Sequence, residues 1–319
     1  MAIGVVNTTS NVPPGVQTYY DRALLERGKP HLAYMTWAQL RPLPTGTGKN
    51  IKFRRLSALS AATTPIPEGV TPDGSSVTVS DLTAAVSMYG DFLPYTDVMQ
   101  ITVDDETLND FADLQGDQFA LTIDTVIRMV LAACASSTNC SNGSNTKTPT
   151  EFAKKDITGV IKTLRGNNAK FVSEIVKAQD GYASYPVRAA YFGIAHTDLI
   201  DALEAVTGYK NVAEYADPGA RIENEEGMTQ NVRWVTSTNA DRTLGTPDQY
   251  KCPIIGQNAY GATKIQAGEL KSIIKALGSA GTEDPLDQRG TIGWKTYFVS
   301  RILNDNFMHN LVCSNLAGT

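Results

Sequence analysis

The sequence predicts an α+β fold, and three features predict it. A long amphipathic helix occupies residues 104–134, runs rich in β-branched and aromatic residues flank it, and a strand-to-helix unit spans 188–208. At 319 residues the chain has room for about two domains. Hydrophobic residues make up 42% and charged residues 19%, a composition that can close a core and excludes wholesale disorder.

Charge and cysteine usage narrow the function classes. With 28 Lys and Arg against 33 Asp and Glu, the chain has no general positive field to hold a phosphate backbone. The start, MAIGVVNTTS, lacks the basic and apolar regions of a secretory signal. The most apolar window, Val126–Ala135, is interrupted at Arg128 and is too short to span a bilayer. Cys134, Cys140, Cys252 and Cys313 form no C-x-x-C pair, which argues against structural zinc. Asn7, Asn139 and Asn142 begin N-x-S/T triplets, read as chance matches in Asn- and Thr-rich loops.

Taken in chain order, Thr18–Arg27 reads as a short amphipathic helix stopped by Gly28 and Pro30. Residues 42–74 carry five prolines and four glycines around one strand-like piece, Ile51–Arg54, and a second strand-like stretch follows at Thr83–Phe92. This pattern predicts a long hairpin that rests on something other than its own core. In the 104–134 helix, Leu108, Phe111, Ala112, Phe119, Ile123, Val126, Met129 and Val130 gather on one face, and Glu106, Asp110, Asp113, Asp117 and Asp124 on the other. Ser136–Thr150 has no aliphatic or aromatic side chain and predicts an exposed loop. A helix is expected around Ile157–Leu164, ending at Gly166. A buried strand is expected at Arg188–Ala195, then a helix from Thr197 or Asp198 that Gly208 ends. Val232–Thr236 and Pro253–Ile255 are further strands. Thr291–Leu303 and Phe307–Cys313, joined by Asn304-Asp305-Asn306, read as a final hairpin. No internal repeat of 20 to 50 residues is visible.

Tests for catalysis return little. Thr45–Asn50 misses the phosphate-loop pattern at Leu43 and at Asn50, and Leu277–Gly281 misses the nucleophile elbow at Leu277. His31, His196 and His309 stand in no metal-binding spacing. The acidic stripe on the 104–134 helix is the one dense carboxylate set; oxygen ligands on a single helix face leave the rest of a metal's shell to water, so a solvated or repelling face is the simpler reading. Lys49, Lys52, Arg54 and Arg55 form the main basic cluster, fitting either solubility of an exposed hairpin or contact with acidic groups.

Several strings carry a resemblance: Tyr19–Pro30 (YYDRALLERGKP), Phe53–Gly74 (FRRLSALSAATTPIPEGVTPDG), Gly116–Arg128 (GDQFALTIDTVIR), Gln257–Gly261, Gln288–Phe298 (QRGTIGWKTYF) and Ile302–Phe307 (ILNDNF). Together they resemble the major capsid proteins of tailed bacteriophages, in the N-four-type branch, over nearly the whole chain. Thr197 follows His196 where that family commonly has proline. The resemblance implies an HK97-like capsid fold. Its parts would be an N-terminal arm (1–41), an extended E-loop hairpin with flanking strands (42–97), a peripheral domain with its spine helix (98–186), an axial α/β domain (187–285) and closing peripheral strands (286–319).

The implied function is self-assembly of identical subunits into hexamers and pentamers of an icosahedral shell around double-stranded DNA, in the virion head, after assembly in the host cytoplasm. No catalytic residue, cofactor or metal is assigned, and no membrane contact. Lys52, Arg54 and Arg55 are expected to contact a neighbouring subunit. Glu106, Asp110, Asp113, Asp117 and Asp124 are expected to line the interior, where like charge keeps enclosed DNA off the wall. No fused scaffolding segment is expected, so the family implies a separate scaffolding protein and a portal, and allows a protease or decoration protein. The rival reading is a metal-dependent hydrolase using the acidic stripe or His196, which needs those groups to converge in a pocket. A nucleic-acid-binding module ranks third and needs a basic groove.

Overall fold

The computed structural model describes residues 33–43, 49–57, 59–66, 68–69, 71, 74–102, 107–142, 148–172, 189–214, 222, 224–264, 270–279 and 284–315, with backbone alone at 100–102 and 107–110. The helix expected at 18–27, His31, residues 45–48 and Glu106 lie outside these residues.

Strands dominate. In chain order they are β1 (Gln39–Pro42), β2 (Asn50–Leu56), β3 (Val79–Ala85), β4 (Ser87–Thr96), β5 (Ser137–Asn139), β6 (Tyr191–His196), β7 (Tyr209–Asn211), β8 (Glu225–Thr229), β9 (Val232–Ser237), β10 (Asp241–Thr243), β11 (Gln249–Ile255), β12 (Tyr260–Lys264), β13 (Lys271–Lys275), β14 (Arg289–Phe298), β15 (Ser300–Ile302) and β16 (Met308–Ser314). The helices are α1 (Asp97–Thr102), α2 (Thr107–Ala132), α3 (Lys154–Gly166) and α4 (Ile200–Glu204).

The strands form an eight-stranded sheet, β5-β16-β11-β6-β9-β8-β7 with β10 on β11, and three small sheets: β1-β12-β15, β13-β14-β4 and β2-β3. The helix α2 realises the long amphipathic element as 26 residues, about 39 Å at 1.5 Å per residue. Its Phe119, Ile123, Ile127 and Leu131 pack with Tyr34, Tyr260, Trp294, Phe298 and Met308 in one core. Met129, expected on this apolar face, is 62% exposed instead. A second core sets Ile157, Val160, Ile161 and Leu164 of α3 against Tyr191, Trp234, Ile254 and Leu311 of the large sheet. The strand β6 is buried along its whole length, as its unbroken apolar run requires. Gly208 takes a φ of +92° just beyond α4, the left-handed stop that glycine supplies.

Three expectations need correction. The stretch 83–92 is split at Val86, so β3 pairs with β2 while β4 leaves to pair with β14. The tract 136–150 is not simply an exposed loop. Ser137–Asn139 pairs in parallel with β16, Cys140 is buried and donates its N–H to Val312, and the Asp156 carboxylate accepts from the N–H groups of Ser141 and Asn142. Backbone pairing needs no apolar side chain, so composition hid this strand. The final hairpin is absent: β14 pairs with β13 and β4, β15 with β12, and β16 with β11 and β5. The turn at Asn304–Phe307, where Asn304 Oδ1 accepts from Asn306 N–H, redirects the chain into a different sheet.

Candidate interaction surfaces

The β2-β3 hairpin is anchored at its root and bare beyond it. Its alternation puts Ile51 and Phe53 on one face, where with Ala84 they pack against Leu43, Leu82, Val86, Val299 and Leu303. The Arg41 guanidinium lies 5.6 Å from the Phe53 ring centroid, and Arg301 Nη1 donates to the Thr83 carbonyl at 2.6 Å. Gly261 makes this seat possible, since a Cβ there would come within 2.5 Å of the Phe53 ring. Beyond the root, Ser57 N–H still donates to the Thr78 carbonyl, yet every described residue from 54 to 81 is exposed. Leu56 and Ile66 are 63% and 67% exposed, apolar surface that this chain leaves uncovered.

Lys52, Arg54 and Arg55 all stand on this hairpin and all are exposed. Register places Arg54 opposite Asp81, with Nε to Oδ1 at 3.4 Å; the pair is too open to water to contribute much stability. Lys52 and Arg54 point to one side of the strand and Arg55 to the other.

The acidic stripe divides. Asp113 is exposed and Asp117 half-buried, whereas Asp124 is only 1% exposed. Its carboxylate accepts from Tyr34 N–H at 2.8 Å and from Asn239 Nδ2 at 3.1 Å, so it fastens the incoming chain and the β9-β10 turn to α2. Asp124 therefore does not belong to an exposed acidic face. Asp110 lies where the backbone alone is described. Sequence periodicity also missed Leu114 and Leu121, which are 59% and 53% exposed on α2 beside the carboxylates.

A second exposed face lies on the β13-β14-β4 sheet. Register and pleat put Met88, Phe92, Ile273 and Tyr297 on the side away from Trp294, together with Lys271, Lys275 and Lys295. Gly90 and Gly293 leave a depression of about 330 Å³ there. On the opposite side the sheet meets α2, where Gln115 Nε2 donates to the Ile292 carbonyl and Gln118 Nε2 to Asp91. The bond from Gln118, with a second from the Phe92 N–H, holds the exposed Asp91 carboxyl below its ordinary pKa.

The two described histidines and the four cysteines are structural in geometry. His196 Nδ1 accepts from Asp198 N–H, Asp198 also accepts from the Tyr250 hydroxyl, and Arg242 bridges Asp198 to Asp248. Burial, reinforced by that bond to Asp198, raises the Tyr250 pKa to about 12. His309 bonds Thr138 Oγ1 at 2.7 Å, and burial lowers its pKa. All four cysteines are buried; Cys252 and Cys313 Sγ atoms stand 3.8 Å apart on neighbouring strands, a proximity the sequence spacing did not signal. Burial raises the Cys134 thiol pKa to about 11. Among the described residues, no three His, Cys, Asp or Glu side chains have metal-binding geometry. Among the described residues, Asp113, Asp117 and Asp124 form no such group with His196, and the hydrolase reading finds no support. No helix among the described residues is long and apolar enough to cross a membrane.

No family model matches the sequence, and no curated protein matches it. Solved structures do match. The capsid of Ralstonia phage GP4 aligns over 88% of this chain and 88% of its own, with a TM-score of 0.64 and 10% identity. The cyanophage Pam1 capsid aligns over 92% and 93%, with a TM-score of 0.59 and 11% identity. The capsid of cyanophage P-SCSP1u aligns over 88% and 87%, with a TM-score of 0.57 and 13% identity. Identities this low establish architecture alone, and the architecture is unambiguous: a root-anchored hairpin, a long helix against a small sheet and a separate large sheet make up the HK97-like capsid fold, which this chain adopts.

Proposed function

We propose that this protein is the major capsid subunit of a tailed bacteriophage, located in the virion head and assembling by self-association into hexamers and pentamers around double-stranded DNA. The observation that carries the reading is the hairpin: all described residues from 54 to 81 are exposed, including apolar Leu56 and Ile66, on a body with the HK97-like fold. Surface of this kind is stabilised when a neighbouring copy covers it, and many modest heterologous contacts then close a ring and a shell.

Within this reading the arm is 1–41, the E-loop and its flanking strands 42–97, the peripheral domain 98–186 and 286–319, and the axial domain 187–285. Lys52, Arg54 and Arg55 meet acidic groups of the adjacent subunit. Asp113 and Asp117 face the interior, with Asp110 and Glu106 continuing the stripe by sequence position. The subunit makes and breaks no bond; a separate scaffolding protein and a portal complete assembly, and a decoration protein is compatible with it.

Electron microscopy of the purified protein, alone and with the scaffolding protein of its phage, tests this directly. Rings or shells are expected from the wild type. The Arg54→Glu, Arg55→Glu double variant should remain folded by circular dichroism and fail to form shells. A wild-type protein that stays monomeric under all these conditions would remove the proposal, and normal shells from the double variant would remove the role of the two arginines.

A further inference from the structure

Three of the four cysteines meet inside the eight-stranded sheet. Cys252 on β11 and Cys313 on β16 are fully buried, with their Sγ atoms 3.8 Å apart, in van der Waals contact. Register explains the approach. Cys313 stands opposite Tyr250 and Cys252 opposite Leu311, so the two are diagonal neighbours on one face of an antiparallel pair. Cys140, also fully buried, follows β5 on the other side of β16, and its side chain hydrogen-bonds that of Cys313. All three sit in the core that α3 covers, whereas Cys134 lies in the other large core.

The strands around the three thiols differ in how firmly they are held. β5 has three residues, pairs only with β16 and forms the edge of the sheet. Short edge elements open far more often than a whole sheet does. β11 and β16 are paired over seven residues, and β11 is flanked on its other side by β6. Opening of β5 therefore carries Cys140 away and uncovers Cys313, while Cys252 stays beside it. From 3.8 Å, closing to the bond length of about 2.05 Å needs a side-chain rotation and a small strand shift.

We infer that Cys252 and Cys313 are an oxidative modification site: a small peroxide, admitted when β5 opens, joins them in a disulfide that ties β11 to β16. One sulfur, as thiolate, attacks a peroxide oxygen and breaks the O–O bond, giving a sulfenic acid and a hydroxide that leaves with the thiol's proton as water. The second sulfur then displaces the hydroxyl, which departs with the second thiol's proton as another water. Two electrons pass from the sulfurs to hydrogen peroxide, and the S–S bond replaces two S–H bonds. Burial raises the Cys313 pKa, so thiolate is scarce and the reaction is slow. Brief contact with oxidant leaves the thiols intact; sustained contact converts them. The two cysteines are 61 positions apart, so the bond removes much freedom from the opened chain and strengthens the sheet. The inference concerns the single chain and does not depend on shell formation.

Full-length subunits treated with dilute hydrogen peroxide, alkylated in denaturant and mapped as non-reduced peptides by mass spectrometry test it. The expected product has one bond per chain, joining the peptides of Cys252 and Cys313, with Cys134 and Cys140 alkylated and a reductant restoring all four thiols. Amides of β11 and β16 should exchange about tenfold or more slowly in the bonded form than in the reduced one. Thr150→Val removes the hydrogen bond from Thr150 Oγ1 to the Cys140 carbonyl, and by loosening the chain after β5 it should speed the reaction about fivefold. Four intact thiols after prolonged treatment, a bond from Cys140 or between chains as the main product, or a rate unchanged by Thr150→Val would each overturn the inference. The wild-type peptide map decides the pairing by itself, so a variant that fails to fold leaves the test standing. Electron microscopy of the same samples reports separately on assembly, so failure of the capsid reading is distinguishable from failure of this one.

Discussion

Replacing Phe53 by alanine should loosen the hairpin without unfolding the body. Phe53 is 2% exposed, and its neighbours form a small cluster separate from the two large cores: Ile51 and Ala84 on the hairpin, Val299 and Leu303 below it. Truncating a buried Phe costs about 3–5 kcal/mol, and a cluster this small and close to solvent falls near the lower end. About 3 kcal/mol corresponds to roughly 100-fold more frequent opening of the hairpin. Because α2 and β6 draw on other clusters, their stability should change little. Hydrogen exchange of unassembled subunits resolves the two regions. We expect amides of β2 and β3 to exchange about 100-fold faster in Phe53→Ala, about tenfold or less in Phe53→Leu, and amides of α2 and β6 to be unaffected. Unchanged rates in β2 and β3, or an equal loss in α2 and β6, would refute the view that the hairpin is a separately anchored limb.

Further outcomes follow from buried polar groups. Arg233 and Glu225 form a bidentate pair, with both side chains almost wholly buried; Arg233→Met should therefore lower stability by about 3–5 kcal/mol in urea unfolding, while Arg233→Met with Glu225→Leu should recover most of it. Equal losses in the single and double variants would count against this. Burial lowers the His309 pKa below 6.5, so the folded chain binds fewer protons than the unfolded chain as pH falls through that value. Stability supplied by the neutral ring is thus present above pH 6.5 and lost progressively below it; the urea midpoint should fall between pH 7.5 and 5.5, and less steeply in His309→Gln. The four buried thiols should resist a thiol-reactive dye in the native protein and all react in denaturant. Fast labelling of native Cys252 or Cys313 would show that the large sheet opens locally.

Elements with strong periodicity were legible in the sequence. α2, α3 and β6 lie where spacing placed them, because each buries one face or its full length in a core large enough to set the pattern. The hairpin was legible for the opposite reason: Pro- and Gly-rich flanks around short apolar alternation suit a strand pair with little beneath it. Strand partners were not legible. β5 is three polar residues whose place depends on the backbone of β16, and the final strands were misjudged as a hairpin because Asn304-Asp305-Asn306 suits a tight turn equally well. Among site residues, Lys52, Arg54 and Arg55 share one exposed limb. Asp124 was misplaced because helical phase reports only which face a residue occupies, and the chain at Tyr34 and the loop at Asn239 cover part of that face.

The course of residues 289–314 has a mechanical consequence. In this one stretch the chain gives β14 to the sheet beside α2, β15 to the sheet carrying β1, and β16 to the eight-stranded sheet, between β5 and β11. Three rigid plates are thus threaded on a single continuous cord. Two of the places where it can flex are Val299 and the short link around Asn304, and Val299 is itself clamped by its hydrogen bonds with Thr263. Load applied to one plate therefore reaches the others by two routes, the covalent backbone of this stretch and the core that all three share with α2.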